Sequence, residues 1–418
     1  MRSVSWSWII HFLMIILSAF YSVITPTTAR LTPYPPSTAN LSTSWIISYN
    51  VDSRFICDSN DQIATGIFNP ILITKTNVTR FALSFSCQLG KNGKCISKNL
   101  FSIFIVSEDY DYITRIISPP LVWSANRDHP VQTNATLNFT AAGELVLRDA
   151  NGTMVWTTNT AGKSVIGMNL TDAGNLVLYD VNHQVVWQSF DHPTDCLVPG
   201  QPLFQGQKLI SSTNSTSDQK DKYSLEVTDE GLFAYIESNP PHAYYSAKIS
   251  QLLVTYNESY LNKGKSYVRY LNGSLALFFL SAEPSDPDVT FPITEALSAQ
   301  YMKLMPDGHL RVFEWQLSIG NWKQVDDLLT DFELFGECGY PLACGRNALC
   351  MNSVNPQCVC PVSNPAEIEY FRAVNNREPS QGCSEITPLT CNATQVQDFI
   401  ALDNVTYFTF TADLNNPL

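Results

Sequence analysis

A strand-turn-strand pattern that repeats along the chain limits its fold more than any other feature. The stretch Gly174–Tyr179 is followed by a polar turn and by a Val-Trp pair that ends at Trp187. A similar stretch, Gly143–Leu147, is followed by Asn-Gly and by a Val-Trp pair that ends at Trp156. A third pair ends at Trp123, so the three tryptophans are 33 and 31 residues apart. The alternation of side chains within each stretch has the period of a β-strand, and its recurrence predicts repeated small sheets.

These units need one another to form a core. A single small sheet cannot bury its apolar face, whereas three sheets around a pseudo-threefold axis can, with one indole from each packed at the centre. The alternative is that three tryptophans recurred by chance in an ordinary sandwich. No long amphipathic helix is apparent before residue 200, so we expect an all-β fold.

The pattern continues more faintly between residues 200 and 325. Alternating apolar stretches occur near Gly231, Gly273 and Gly308, which are 42 and 35 residues apart. This spacing is close to the first period and predicts a second, diverged β-prism after the first. An unrelated sandwich is the alternative for this part of the chain.

The first 29 residues have the pattern of a secretory signal peptide. Arg2 precedes the short apolar run Phe12–Leu17, and Thr27–Ala29 offers small residues for cleavage. A retained membrane anchor is the alternative, but the run is short for a membrane span and His11 interrupts it. We therefore expect a chain that enters the secretory pathway.

The density of Asn-x-Ser/Thr sequons also fits secretion and predicts a heavily glycosylated surface. The acceptor residues are Asn40, Asn77, Asn134, Asn138, Asn151, Asn169, Asn214, Asn257, Asn272, Asn392 and Asn404. The formal net charge is −13, which argues against nucleic acid or an anionic membrane as a partner. Nucleotide-binding fingerprints are missing, and no cofactor is expected.

Six of the eleven cysteines fall between Cys338 and Cys383, which predicts a disulfide-rich module in a secreted chain. Six cysteines allow fifteen pairings, and the sequence alone does not choose among them. A zinc site is a weaker alternative because no Cys-x-x-Cys is present, and no metal is expected. Cys87 and Cys95 bracket an Asn-Gly turn that a disulfide could close.

An odd number of cysteines leaves at least one unpaired, or paired outside the chain. Cys391 is the candidate, because no cysteine follows it. Cys57 and Cys196 could bridge one another.

Three segments carry a resemblance to a known family: Val122–Arg127, Gly174–Asp180 and Trp187–Asp195. They resemble the bulb-type lectin domain of plant S-domain (G-type lectin) receptor kinases and of their secreted S-locus-glycoprotein relatives. Cys87 and Cys95, followed by Leu100–Val106, resemble one branch of that family. The resemblance implies β-prisms of three four-stranded sheets.

The later segments resemble further modules of the same family. The Cys338–Cys383 region resembles an EGF-like module, which implies the disulfides Cys338–Cys350, Cys344–Cys358 and Cys360–Cys383. An apple-like PAN domain follows in the family, and only its beginning is present here. We therefore expect a form truncated before the membrane span and the kinase.

The expected organisation is two tandem bulb-lectin β-prisms, then the EGF-like module, then the start of the PAN-like domain. In residue numbers, we expect a signal peptide (1–29), an extended leader (30–52), a bulb-type lectin domain (53–195), a second, diverged domain (196–330), the EGF-like module (334–385) and an incomplete PAN-like segment (386–418).

The resemblance also indicates where a sugar site would lie. Bulb-type lectins hold mannose with Gln-x-Asp-x-Asn-x-Val-x-Tyr, in which short polar side chains on one strand face meet sugar hydroxyls. In the best repeat, Thr171 and Ala173 occupy the Gln and Asp positions, while Asn175, Val177 and Tyr179 are retained. The site is therefore degenerate, and a structural role for the retained residues is the favoured interpretation.

Catalysis is not expected. A possible triad lies close in sequence, in Ser189, Asp191, His192 and Asp195, but triads are assembled in space and no elbow motif surrounds Ser189. The favoured function is extracellular recognition of a protein or glycan ligand, or pairing with a like ectodomain as a homo- or heterodimer. A working mannose lectin and a secreted wall glycoprotein or decoy without a kinase are the alternatives. A longer isoform with a membrane span would lie at the plasma membrane.

Overall fold

The computed structural model describes residues 35–48, 54–57, 64–75, 80–88, 98–106, 119–212, 223–252, 265–330, 336–351, 357–362, 370–386, 401–402 and 405. Every element named below lies in the compact unit Pro36–Leu418. Helix in the described residues is limited to α1 (Ile249–Leu252) and to three 3₁₀ turns at Ser189–Asp191, Gly336–Gly339 and Pro379–Gln381. The fold is therefore all-β, as the strand periodicity predicts.

The first domain is built from strands β1 to β13. Their bounds are β1 Thr38–Asn40, β2 Thr43–Ile46, β3 Arg54–Cys57, β4 Ala64–Ile73, β5 Arg80–Gln88, β6 Leu100–Val106, β7 Leu121–Ser124, β8 Thr136–Phe139, β9 Leu145–Arg148, β10 Met154–Thr157, β11 Gly167–Leu170, β12 Leu176–Tyr179 and β13 Val185–Gln188. They form three antiparallel sheets with the orders β1-β11-β12-β13, β10-β9-β8-β2 and β3-β4-β5-β6-β7.

The third sheet has five strands, whereas the family resemblance implies four. β4 spans ten residues and pairs with β5 along most of its length. At its other edge β4 pairs with β3 through Arg54–Cys57. The additional strand lies at the outer edge of the sheet, so the threefold arrangement of the domain is kept.

The segment expected as an extended leader is part of the first domain. β1 pairs with β11 and β2 pairs with β8, so this segment supplies the outer strand of two sheets. Ile47, directly after β2, is fully buried, and its backbone N–H donates to the carbonyl of Ala135 at 2.9 Å. The domain therefore begins before residue 53, because Trp45 and Ile47 pack against its core.

The second domain has the same architecture and is built from β14 to β25. Their bounds are β14 Cys196–Leu197, β15 Pro202–Phe204, β16 Lys208–Ile210, β17 Tyr223–Val227, β18 Gly231–Ile236, β19 His242–Lys248, β20 Tyr267–Leu271, β21 Ser274–Phe278, β22 Val289–Pro292, β23 Gln300–Leu304, β24 Leu310–Gln316 and β25 Asn321–Asp327. Three four-stranded sheets result, with the orders β14-β23-β24-β25, β15-β20-β21-β22 and β16-β17-β18-β19. The prediction of two tandem β-prisms is confirmed.

One sheet of the second domain packs on the core of the first. Tyr301 on β23 belongs to the first domain's hydrophobic core, and Phe313 and Trp322 of the same sheet pack against that core. Tyr301 lies 5.2 Å from Phe313 and 5.0 Å from Trp322 between ring centroids. The two prisms therefore share buried aromatic surface rather than being joined by a free linker.

The C-terminal module is made of two short hairpins and three disulfides. β26 (Leu349–Met351) pairs with β27 (Gln357–Val359), and β28 (Phe371–Ala373) pairs with β29 (Cys383–Glu385). The disulfides join Cys338 to Cys350, Cys344 to Cys358 and Cys360 to Cys383, which are the pairs that the family resemblance implies. A segment this small buries little apolar surface, so the bridges contribute much of its stability.

Several expectations fall on residues that the structure does not describe. The signal peptide lies there, as do Cys95, Cys391 and five of the predicted glycan acceptors, Asn77, Asn214, Asn257, Asn392 and Asn404. Most of the predicted PAN-like segment also lies outside the described ranges. Cys87 is disulfide-bonded, and its predicted partner Cys95 is among the undescribed residues.

Candidate functional site

The retained residues of the sugar motif share one face of β12. Leu176 and Leu178 are fully buried in the core, so the alternation of the strand turns Asn175, Val177 and Tyr179 to the opposite face. The structure thus brings the three predicted residues together, in the order that the motif requires.

The side-chain amide of Asn175 is held by three hydrogen bonds within the chain. Its Nδ2 donates to Oε1 of Gln188 at 2.8 Å. Its Oδ1 accepts from Oγ of Ser189 at 3.1 Å and from the backbone N–H of Phe190 at 3.2 Å. Asn175 is 9% exposed. Through these hydrogen bonds its buried amide links the residue before β12 to the end of β13.

Ser189 has a structural role in the same network. While its hydroxyl donates to Asn175, it accepts the backbone N–H of Leu176 at 3.0 Å. The ring of His192 stacks on Trp187, with centroids 5.3 Å apart and planes 17° apart. Ser189 and His192, which were considered for a catalytic triad, thus make structural contacts where the chain leaves β13.

Tyr179 lies flat on the neighbouring strand. Its cross-strand partner is Gly167, and a Cβ added there would lie 2.5 Å from the tyrosine hydroxyl oxygen. A larger residue at position 167 would therefore displace the tyrosine ring from its present place. The tyrosine ring also stacks on His183, with centroids 5.5 Å apart.

The two altered motif positions offer neither an amide nor a carboxylate to a sugar. The Thr171 hydroxyl oxygen accepts the backbone N–H of Asn175 at 3.1 Å. Ala173 is exposed and has no polar side-chain atom. The polar groups left on this face are therefore the tyrosine hydroxyl and those already bonded to the protein.

The three repeated tryptophans meet at the centre of the first domain. Trp123, Trp156 and Trp187 lie on β7, β10 and β13, each the edge strand of a different sheet. Their ring centroids are 6.0, 6.1 and 5.8 Å apart, and their planes cross at 73°, 71° and 74°. These nearly equal values confirm the predicted pseudo-threefold arrangement.

A cavity of about 610 Å³ opens beside these indoles. It is lined by all three tryptophans and by polar residues that include Arg127, Asn159, Lys163, His192 and Thr157. Asn159 and Lys163 are exposed, whereas Trp156 and Trp187 are half-buried. We call this concavity the tryptophan cavity. Sequence reasoning identified its indoles as core residues but missed the polar ones, which come from loops that no motif marks.

A second polar cluster joins the second domain to the C-terminal module. His309 is 5% exposed, and its ring stacks on that of Tyr340 with centroids 3.5 Å apart. Its Nδ1 lies 2.7 Å from a carboxylate oxygen of Asp327, and its Nε2 lies 3.6 Å from one of Glu337. Sequence analysis missed this cluster, because its members belong to no shared motif.

Cys196 is free and buried, which excludes the bridge to Cys57 considered from the sequence. Its thiol donates to the carbonyl of Leu121 at 3.5 Å and to a carboxylate oxygen of Asp195 at 3.3 Å. Burial, followed by the neighbouring Asp195 charge, raises the pKa of the thiol well above its usual value. The side chain is therefore a packed, unreactive part of the junction between the domains.

Neither a metal site nor a membrane-spanning helix is present among the described residues. No group of His, Cys, Asp and Glu side chains in the described ranges is arranged to hold a metal ion. Among those same residues, no helix has both the length and the apolar character that crossing a membrane requires.

Paired prisms, a lectin motif on an outward strand face and a disulfide-rich module define an extracellular recognition module of the lectin type. The family model for D-mannose binding lectin matches residues 120–219, and the family model for the S-locus glycoprotein domain matches residues 263–363. The epidermis-specific secreted glycoprotein EP1 of Daucus carota is 36% identical over 271 residues, which cover 58% of this chain and 68% of that protein.

A G-type lectin S-receptor-like serine/threonine-protein kinase of Arabidopsis thaliana is 28% identical over 58% of this chain and 30% of its own length. EP1-like glycoprotein 4 of the same plant is 37% identical over 57% of this chain and 56% of its own length. The chain thus spans little more than half of the latter and under a third of the kinase. It belongs to the family of EP1-like secreted glycoproteins.

Proposed function

We propose that this chain is a non-catalytic recognition protein that binds a glycan in the tryptophan cavity rather than on the Asn175–Tyr179 face. The observation that carries the proposal is the bonding of Asn175, whose amide already makes three hydrogen bonds within the protein. A sugar would have to replace these bonds, and it would find no side-chain amide or carboxylate at Thr171 or Ala173.

The tryptophan cavity has the chemistry that a glycan needs. Indole faces pack against the apolar faces of sugar rings, while amide, hydroxyl and cationic groups meet the hydroxyls. Asn159 and Lys163 supply such groups beside the half-buried indoles of Trp156 and Trp187. Its volume of about 610 Å³ lies within the usual range of ligand sites, roughly 300–1,000 Å³.

The test is a titration of the secreted chain with a glycan library, in which tryptophan fluorescence reports binding. Lys163→Ala and Asn159→Ala are expected to weaken binding about tenfold, since each removes a hydrogen-bonding group worth roughly 1.4 kcal/mol. Lys323→Ala is the matched control, because Lys323 is equally exposed but lies on β25. Binding that survives both cavity changes, or that leaves the tryptophan emission unchanged, would contradict the proposal.

A working mannose lectin is the second candidate, because Val177 and Tyr179 still share the outward face of β12. In that case Tyr179→Phe would weaken mannose binding while Lys163→Ala would not. The same titration therefore separates the two functions.

The family supports a proposal for the partner and the setting as well. We propose that the ligand is met in the extracellular space, where the chain also pairs with like ectodomains. Continued into a membrane span and a kinase, as in the receptor relatives, the same module would relay binding across the plasma membrane. Without them it would act as a secreted wall glycoprotein or a decoy.

A further inference from the structure

The first position of the degenerate motif is also part of a glycosylation sequon. Thr171 stands where the motif has Gln, and it completes the sequon Asn169-Leu170-Thr171. In the other close repeat, Thr140 likewise stands at the Gln position of the motif and completes the sequon Asn138-Phe139-Thr140. The same threonine thus stands in place of a sugar-binding amide and completes an acceptor site for a covalent glycan.

The acceptor lies on the motif face itself. Asn169 on β11 is the direct cross-strand partner of Val177, and Thr38 is its partner on the other side. Directly opposed residues in an antiparallel pair have Cβ atoms roughly 5 Å apart and point to the same face. Tyr179 lies over Gly167, two residues before Asn169 on the same strand. The acceptor therefore stands beside the retained motif residues.

The side chain of Asn169 is available for attachment. Met168 and Leu170 are buried in the core, so Asn169 is turned outward and is half-exposed. Within the described ranges, no hydrogen bond involves its side-chain amide, in contrast to that of Asn175. Thr38, on the adjacent outer strand, is exposed and leaves room beside it.

Asn138 holds the equivalent place in the second sheet, opposite Val146. Its amide is engaged there, since Oδ1 accepts from Ser44 at 2.7 Å and Nδ2 donates to Thr136 at 3.3 Å. Asn169 is therefore the better acceptor of the two.

We propose that Asn169 carries an N-linked glycan whose first N-acetylglucosamine lies on Val177 and covers the Asn175–Tyr179 face. The donor is a lipid-diphosphate-linked oligosaccharide. The amide Nδ2 forms a bond to C1 of the sugar, the bond between C1 and the diphosphate oxygen breaks, the lipid diphosphate leaves, and Nδ2 loses one proton. The protein's own sugar then takes the place that a free mannose has in the family's lectins.

The first measurement is glycopeptide mass spectrometry of the full chain from plant secretory cells. Asn169 is expected to carry a glycan in most molecules. Thr171→Ser keeps the sequon and is expected to keep the glycan, whereas Thr171→Ala and Asn169→Gln are expected to lose it. An unmodified Asn169 in the secreted protein would overturn the proposal.

The second measurement is covalent footprinting of Tyr179, the partly exposed residue of β12, in the folded protein. Labelling is expected to rise about twofold in Asn169→Gln, because a glycan covering one side of a residue hides roughly half of its surface. Asn151→Gln is the matched control, since Asn151 is an exposed acceptor in the turn between β9 and β10 of a different sheet. Enzymatic removal of the glycan from folded wild-type protein gives the same comparison if a variant fails to fold. Unchanged labelling after glycan loss would overturn the proposal.

Discussion

The indole rings of Trp156 and Trp187 pack edge to face, with centroids 5.8 Å apart and an angle of 74° between their planes. The same near-perpendicular geometry relates each of them to Trp123, so each sheet of the first domain contributes one ring to the cluster. Edge-to-face pairs are favourable because the positive rim of one ring meets the negative face of the next. Three such contacts hold the three small sheets together at their common centre.

Truncation of this centre is expected to destabilise the first domain strongly. Trp123 is 5% exposed, and its Nε1 donates to the carbonyl of His192 at 2.8 Å. Trp123→Ala leaves a cavity and an unpaired carbonyl, and we expect a loss of about 3–5 kcal/mol in the free energy of unfolding. Denaturant unfolding measures it. Val181→Ala, at an exposed turn, is the control, and an equal effect of both changes would contradict the central role of the indoles.

Asn175→Ala is expected to act on stability. Its loss leaves the donors of Ser189 and Phe190 without their acceptor, which costs about 1–3 kcal/mol. Asn182→Ala is the matched control, because Asn182 is exposed on the adjacent turn. Thermal unfolding of both variants measures the difference. Equal stability of Asn175→Ala and the wild type would show that the amide network contributes nothing.

Two buried tyrosines of the second domain are expected to respond oppositely to removal of their hydroxyls. The Tyr270 hydroxyl donates to Oε1 of Gln300 at 2.8 Å, whereas the buried Tyr223 hydroxyl has no hydrogen-bond partner among the described residues. Tyr270→Phe should cost about 1 kcal/mol, and Tyr223→Phe should raise the free energy of unfolding by about as much. Denaturant unfolding of the two variants decides this, and destabilisation by Tyr223→Phe would contradict it.

Unfolding at alkaline pH is expected to depend on Tyr223. Burial, followed by the charge of Asp307, raises the pKa of Tyr223 from 10.0 to about 12. The folded state therefore favours the neutral phenol, so this contribution to stability is complete below pH 10 and is lost as the pH rises toward 12. Unfolding followed across that interval should be less steep with pH in Tyr223→Phe. An identical pH profile would exclude this tyrosine as a contributor.

The sequence predicted the parts of the fold that repeat. The recurring Val-Trp pairs predicted the meeting of Trp123, Trp156 and Trp187, because a regular spacing within one chain places equivalent residues around one axis. The outer strands β1 and β2 were missed, because residues 30–50 are rich in Pro, Ser and Thr, a composition that is typical of an extended leader. A short edge strand is selected by the sheets it joins more than by its own pattern.

The candidate sites depended on tertiary contacts that no local pattern encodes. The motif predicted that Asn175, Val177 and Tyr179 share a face, but the bonds of Asn175 depend on how β13 ends at Ser189. Likewise, the stack of His309 on Tyr340 joins two modules through residues 31 positions apart in sequence.

The central claim is that the Asn175–Tyr179 face stabilises a lectin scaffold and no longer binds mannose. The most direct test is calorimetric titration of methyl mannoside into the secreted chain, before and after enzymatic removal of its glycans. We expect no mannose-selective binding in either state, and no difference between the wild type and Tyr179→Phe. Mannose-selective binding that is lost in both Asn175→Ala and Tyr179→Phe would contradict the account.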